Sequence, residues 1–199
     1  MTPSVPATRD RIVSAAAKLF YSEGIRAVSV DAVAEKAGVT KRTLYYHFAS
    51  KDDLIAAYLN GRDQPNLALF KRWFSEADGD VADKVRGVFY ALAKSARHPR
   101  WKGCGFLRTC AELANMPGHP AMKVGVAHKK RVEDWLNDVL EAVGLETRAR
   151  TLAHQIVLLL DGGFAVVLLH RDPSYMETAG EAAHALVRME LSKTKAAIA

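Results

Sequence analysis

The chain has 199 residues, of which 49% are hydrophobic and 25% charged, with only 13 glycines and 7 prolines. This composition excludes the collagen-like and disordered classes and supplies enough apolar side chain for one domain or two small ones. The net charge of +6 fits a nucleic acid or an acidic surface as partner without choosing between them, but positions 1–51 carry eight lysines and arginines against four acidic residues, so most of the surplus is N-terminal.

Two cysteines, Cys104 and Cys110, are too few and too close together for a secreted disulfide framework, so a reducing cytoplasm is expected. The first residues, MTPSVPATRDR, lack the charged-then-apolar layout of a signal peptide. The longest strongly apolar run, positions 156–169, is interrupted by Asp161 and is shorter than the roughly 20 residues a membrane-spanning helix needs. It reads as a buried core helix, and no membrane partner is expected.

Apolar residues follow the 3.6-residue period throughout, and no segment alternates as a strand would, which predicts an all-α protein. A first helix over 8–23 places Ile12, Ala16, Leu19 and Phe20 on one face and stops at Gly24. Ser29 caps a second, in which Val30, Val33, Ala34 and Ala37 share a face and Gly38 ends the helix; Thr40 caps a third over 41–47. Ser50 and Asp53 form a capping-box pair opening a fourth, carried by Leu54, Ile55 and Tyr58. Pro65 is expected to break or kink it, which places a domain boundary there.

Beyond the boundary, Asp80 opens a helix with Val81, Val85, Val88, Phe89 and Leu92 inward, stopped by His98-Pro99. The tract WKGCGF turns into a helix running through Met116, and PGHP at 117–120 is a second break. Three longer helices follow, over about 121–143, 148–170 and 174–192, with Ser174 and Glu177 as the capping pair of the last.

Two short helices joined by Gly38-Val39, with a supporting helix before them, have the layout of a helix-turn-helix spanning about 29–48. With Leu44 and Phe48 turned inward, Arg42, Thr43, Tyr46 and His47 face outward, flanked by Lys41 and Tyr45. Cations, hydroxyls and a forked guanidinium on one face suit a phosphate-lined major groove. Lys51 follows the Ser50 cap at the positive end of a helix dipole, a placement disfavoured by roughly 0.3–1 kcal/mol unless an anion binds there.

The stretch AAAKLFYSEGIRAVSVDAVAEKAGVTKRTLYYHFASKDDLIAAYL, with its F-x-x-x-G helix end, its S-V-x-x-V-A-x-x-A-G-V helix and its T-L-Y-Y-H-F-x-S-K-x-x-L segment, resembles the DNA-binding domain of the tetracycline-repressor (TetR) family. The resemblance implies a homodimeric transcription regulator, usually a repressor, that is released from a palindromic operator by a small-molecule effector. It implies phosphate contacts for Ser29, Thr43, Tyr45, His47 and Lys51, and places Thr40, Lys41, Arg42 and Tyr46 nearest base edges. An arginine at position 42, often a small residue in the family, points to guanine reading.

On this reading residues 8–66 are the DNA-binding domain and 67–199 an effector-binding and dimerisation domain, paired through the helices at about 148–170 and 174–192. Trp101, Phe106, Met116, Met122, Trp135, Asp161 and Phe164 are the candidate effector contacts; large apolar residues of this kind are more often plain core. Asp161 either meets a ligand or partner group, or bonds within its own bundle, and Gly162-Gly163 suggests close helix approach. Cys104 and Cys110 read either as a redox switch or as bystander thiols. No H-x-x-x-H spacing, nucleophile elbow, P-loop or dinucleotide fingerprint occurs, so no metal, cofactor or catalytic residue is assigned. The competing class is a small-molecule-binding protein or enzyme with an incidental basic N-terminal region.

Overall fold

The computed structural model describes residues 7–198. Among these the chain forms helices and no strand: α1 Thr8–Glu23, α2 Val30–Ala37, α3 Lys41–His47, α4 Lys51–Glu76, α5 Val81–Ala96, α6 Gly105–Glu112, α7 Pro120–Glu141, α8 Ala149–His170 and α9 Ser174–Ile198. Two compact units divide them. The first runs to Gln64 and takes in Gly105–Ala127; the second comprises Pro65–Cys104 and the chain from His128 onward.

In the first unit α1, α2 and α3 pack against one another through Ile12, Ala16, Phe20, Val33, Ala34 and Leu44, all buried. Phe20 meets Tyr58 of α4 edge to face with ring centres 5.6 Å apart. The segment from α6 to the start of α7 is fastened here by polar contacts of high sequence separation. The Glu112 carboxylate accepts the Ile25 and Arg26 N–H groups at 3.3 and 3.1 Å, while the Arg26 guanidinium donates back to the Glu112 carbonyl at 2.7 and 3.1 Å. His119, buried, accepts the Ala121 N–H on Nδ1, and its Nε2 lies 3.2 Å from Asp52 Oδ1, off the line of a hydrogen bond.

The second unit is built on α9, against which α5 and α8 both pack. Val85, Phe89 and Leu92 of α5, Ile156, Leu160 and Phe164 of α8 and Met176, Ala183 and Val187 of α9 are buried. A Cβ on Gly163 would fall 2.8 Å from the Met176 sulfur, so this glycine sets the α8–α9 distance within the chain, whereas Gly162 has open space. Although α8 is long and apolar enough to cross a membrane, one of its faces forms this core.

A charged network ties α5 to α9. Asp80 and Asp83 close a capping box at the start of α5, Arg188 reaches both carboxylates, and Arg86 bonds Asp83 at 2.9 Å. Tyr90 donates to Glu181 at 2.7 Å. That hydrogen bond holds the Glu181 carboxyl below the usual range against the opposing effect of desolvation, with Arg86 and His184 adding to it. For Asp83 desolvation is the largest influence and acts upward, yet the Asp80 N–H and the charges of Arg188, His184 and Arg86 carry it below its ordinary value. A carboxyl lowered in the folded state contributes stability above its unfolded pKa of about 4, and that contribution is lost as pH falls through the lowered value. The unfolding midpoint should therefore drop on acidification below about pH 4, and by less in Arg188→Met, in thermal melts across a pH series.

Four expectations need correction. α4 runs unbroken through Pro65 to Glu76. The ring of a helical proline presses on the carbonyl four residues back, here that of Gly61, the residue with the most backbone latitude, and Leu67 and Phe70 are buried beyond it. α6 stops at Glu112, short of Met116, and turns replace its predicted continuation. Ser174 is the first helical residue of α9, its N–H capped at 2.9 Å by Asp172, which the hydrogen bond to Ser174 holds below the usual carboxylate range. α9 also extends past 192 to Ile198.

Candidate nucleic-acid interface

The outward face of α3 is assembled by two caps and one turn. The Ser29 hydroxyl accepts the Ala32 N–H at 3.0 Å and starts α2. Gly38 ends it in the left-handed region, φ 64° and ψ 42°, where a side chain would be strained. The Thr40 hydroxyl then accepts the Thr43 N–H at 3.1 Å and bonds the Thr43 hydroxyl at 2.8 Å, starting α3 with its first turn already constrained. Leu44 is fully buried and Phe48 nearly so, which fixes the rotation of the short helix about its axis.

The other α3 side chains follow from that anchoring. Lys41, Arg42, Tyr45 and Tyr46 are exposed, Tyr46 to 85%, and Thr43 and His47 are half-buried. Tyr46 and His47 meet edge to face, their ring centres 5.2 Å apart. Lys41 donates to the Asp31 carboxylate of α2 at 2.9 Å, and that hydrogen bond raises the lysine pKa. Arg42 has no acidic partner among the described residues. α3 contains no acidic residue, so the face projects cations, hydroxyls and rings alone.

Lys51 opens α4 and lies beside this face in sequence. The Ser50 hydroxyl accepts the Asp53 N–H at 3.1 Å and donates to its carboxylate at 2.8 Å, which starts the helix at Lys51. The lysine is half-buried and, among the described residues, carries no ion pair. Its ammonium and the free N–H groups of the first turn are thus available to one anion.

Two arginines of α1 support the site and were not singled out from the sequence. Arg11 donates to the Ala37 and Gly38 carbonyls at 2.8 and 3.1 Å, capping the end of α2. The Arg9 guanidinium lies 5.0 Å from the centre of the Phe48 ring. Their basic charge is visible in the sequence, but nothing local shows which carbonyl or ring they reach.

The candidate effector residues fall in both units. In the second, Trp101 stacks on Phe164 with ring centres 6.3 Å apart, and Trp135 is buried edge-on to Phe74. Asp161 pairs with Lys129, whose ammonium lies 6.0 Å from the Phe164 ring centre and 4.0 Å from Cys104 Sγ. The carboxylate is thus bonded within its own bundle, and Cys104 has a cation beside it that the sequence did not disclose. A cleft of about 340 Å³ borders Trp101, His98, Val167 and Arg171. In the first unit Phe106 is buried, Met122 half-buried and Met116 exposed. Among the described residues neither Cys104 nor Cys110 is in a disulfide.

A short helix turned outward by two buried anchors, following a capped helix and a tight glycine turn, defines the reading head of a helix-turn-helix DNA-binding protein. Residues 12–58 match the family described as bacterial regulatory proteins, tetR family. A TetR-family transcriptional regulator from Streptomyces coelicolor is 32% identical, with 94% of this chain and 95% of that one aligned at a TM-score of 0.75. The HTH-type transcriptional repressor KstR2 of Mycolicibacterium smegmatis is 28% identical over 145 residues, 71% of this chain and 68% of that one, and the regulator YjdC of Escherichia coli is 23% identical over 181 residues, 90% and 93%. The chain belongs to the TetR family and is a DNA-binding transcriptional regulator.

Proposed function

We propose that the protein is a cytoplasmic repressor that binds a palindromic operator as a homodimer and is released by a small-molecule effector. It has no catalytic role on this reading. The observation that carries it is the face of α3: every outward side chain is a cation, a hydroxyl or a ring, with Arg42 paired to no acidic group among the described residues. Residues 8–66 act as the DNA-binding domain and 67–199 as the effector-binding and dimerisation domain. Ser29, Thr43, Tyr45, His47 and Lys51 hold phosphates, while Thr40, Lys41, Arg42 and Tyr46 meet base edges. Trp101, Trp135 and Phe164, with Phe106, Met116, Met122 and Asp161, are the residues against which effector contacts are to be sought.

The dimer reading draws support from an apolar surface that α8 and α9 leave uncovered. Leu158 is 71% and Met189 48% exposed, and with Leu159, Ala182, Ala185 and Leu186 they line an apolar groove of about 560 Å³. Pairing of these helices with a second copy would set two reading heads on a twofold axis, at a spacing of about 34–36 Å for successive major grooves. Effector binding then shifts the population toward a spacing that no longer fits.

Gel-shift titration against DNA from the gene's own upstream region tests the reading. A sequence-specific complex at nanomolar to sub-micromolar protein is expected, and its absence with and without candidate effectors removes the regulator mechanism. Lys51→Ala should weaken binding to all sequences alike and lower the slope of log K against log salt by about one unit. An unchanged slope takes Lys51 out of the phosphate contacts.

A further inference from the structure

Two guanidinium groups converge on one aromatic ring inside the first unit. The Arg62 Cζ of α4 lies 5.1 Å, and the Arg108 Cζ of α6 5.8 Å, from the centre of Tyr21, and Arg62 is also 6.0 Å from the Tyr58 ring centre. Arg108 donates to the Tyr21 carbonyl at 2.8 Å, which holds its fork in place. Among the described residues neither arginine has a carboxylate partner, and the Arg62 Nε is buried without a hydrogen-bond acceptor. The acid one turn along α6, Glu112, already spends both oxygens on the Ile25 and Arg26 N–H groups.

Gly105, the first residue of α6, lies at the same spot. A Cβ there would stand 2.8 Å from the Tyr58 hydroxyl and 3.5 Å from Arg62 Nε, so only a bare backbone lets α6 start against these two groups. Arg62 also lines a groove of about 520 Å³ between α1 and α4, walled by Val13, Ala17, Ala57 and Gly61. The groove's other charged groups, Arg9, Asp10 and Asp53, come from the first turns of the two helices, whereas Arg62 lies on the fourth turn of α4.

An orphaned buried donor and two neighbouring like charges both cost free energy, and one anion between them removes both costs. Guanidinium forks match a planar carboxylate bidentately, and the flanking tyrosine rings favour a planar group over a tetrahedral one. We infer that Arg62 and Arg108 form a carboxylate site and that the effector is a small organic acid. The inference rests on the effector-released regulator reading above and supplies the chemical class of its ligand.

The test uses the full chain at fixed ionic strength, with benzoate and hexanoate against benzamide, hexanamide and inorganic phosphate. Each is assayed by thermal shift and by displacement of the upstream DNA in gels. The two carboxylates should raise the melting temperature and displace DNA, with the amides and phosphate weaker by about tenfold or more, the loss expected for a charge-assisted contact. Arg62→Gln and Arg108→Gln should each raise the half-maximal carboxylate concentration by about tenfold relative to that variant's own DNA affinity, and Arg62→Lys, which keeps the charge, by less. Amides or phosphate equal to the carboxylates, or no binding by any of them, overturns the site, as does an unaltered response in both Gln variants. Carboxylate binding that needs the arginines but leaves DNA bound upholds the site and overturns release by this effector. A neutral compound that binds and displaces DNA upholds release and overturns the carboxylate assignment.

Discussion

Leu44→Ala should lower the unfolding free energy by about 2–5 kcal/mol, the range for deleting a buried leucine side chain and leaving a cavity. For a chain of this length each kcal/mol moves the melting temperature by about 2–4 °C. Leu44 is fully buried, so the whole side-chain volume is lost from packed surroundings. The site is also one that can collapse only at a cost, because the Thr40 cap at one end and Phe48 at the other fix α3 in position. A seven-residue helix has almost no stability of its own, since isolated helices below about 12–15 residues are marginal. Its order comes from Leu44 and Phe48. DNA affinity should therefore fall together with stability in this variant. Tyr46→Ala is the matched control: the ring is 85% exposed, so the melting temperature should stay within the roughly 0.5 kcal/mol expected of surface changes while DNA binding still weakens. Equal thermal losses in the two variants, by calorimetry or urea titration, would show that α3 is not anchored as described.

How far the sequence disclosed this arrangement depends on how far apart the interacting residues lie. The caps at Ser29 and Thr40, the stop at Gly38 and the helix start at Asp80 were legible because each rests on bonds between residues two to five positions apart. The inward placement of Leu44 and Phe48 followed from period alone. The break expected as one outcome at Pro65 does not occur because the rule against helical proline is also local, whereas α4 is held on both sides of it by buried residues such as Leu59 and Leu67. A second local error, the reading of Ser174 as the cap, arose because serine and aspartate both cap helices and the sequence does not show that Asp172 takes the Ser174 N–H.

Contacts of long sequence separation were not legible. Arg11 caps α2 across 26 and 27 positions, Glu112 holds Ile25 and Arg26 across 87 and 86, and Lys129 finds Asp161 across 32. No period or cap encodes such pairs, which come into being only when helices dock. The convergence of Arg62 and Arg108 on Tyr21 belongs to the same class. In the reading face the residues were all visible, but their availability was not. The pairing of Lys41 with Asp31 shows the difference, since it divides two adjacent cations into one already engaged and one uncommitted.

That division makes Arg42→Ala the sharpest test of base reading. A bidentate arginine on guanine O6 and N7 is worth about 1–3 kcal/mol of discrimination, so the variant should lose about 5- to 150-fold in operator affinity and relax its preference at one base pair in each half-site. Among the described residues Arg42 donates to no carboxylate, and its substitution therefore removes only exposed side chain. Lys41→Ala should cost less, because the lysine enters the complex already bonded to Asp31, and an exposed, solvent-screened pair of this kind contributes little. Arg42→Lys keeps the charge but not the fork, so it should retain binding to random DNA while losing the base preference. Competition anisotropy with the operator, single-base variants of it and scrambled duplex separates these outcomes. If Arg42→Ala weakens operator and scrambled duplex equally, the arginine is bound to the backbone, and the guanine it was expected to read is held by another residue of the same face, with Tyr46 next in line by its exposure.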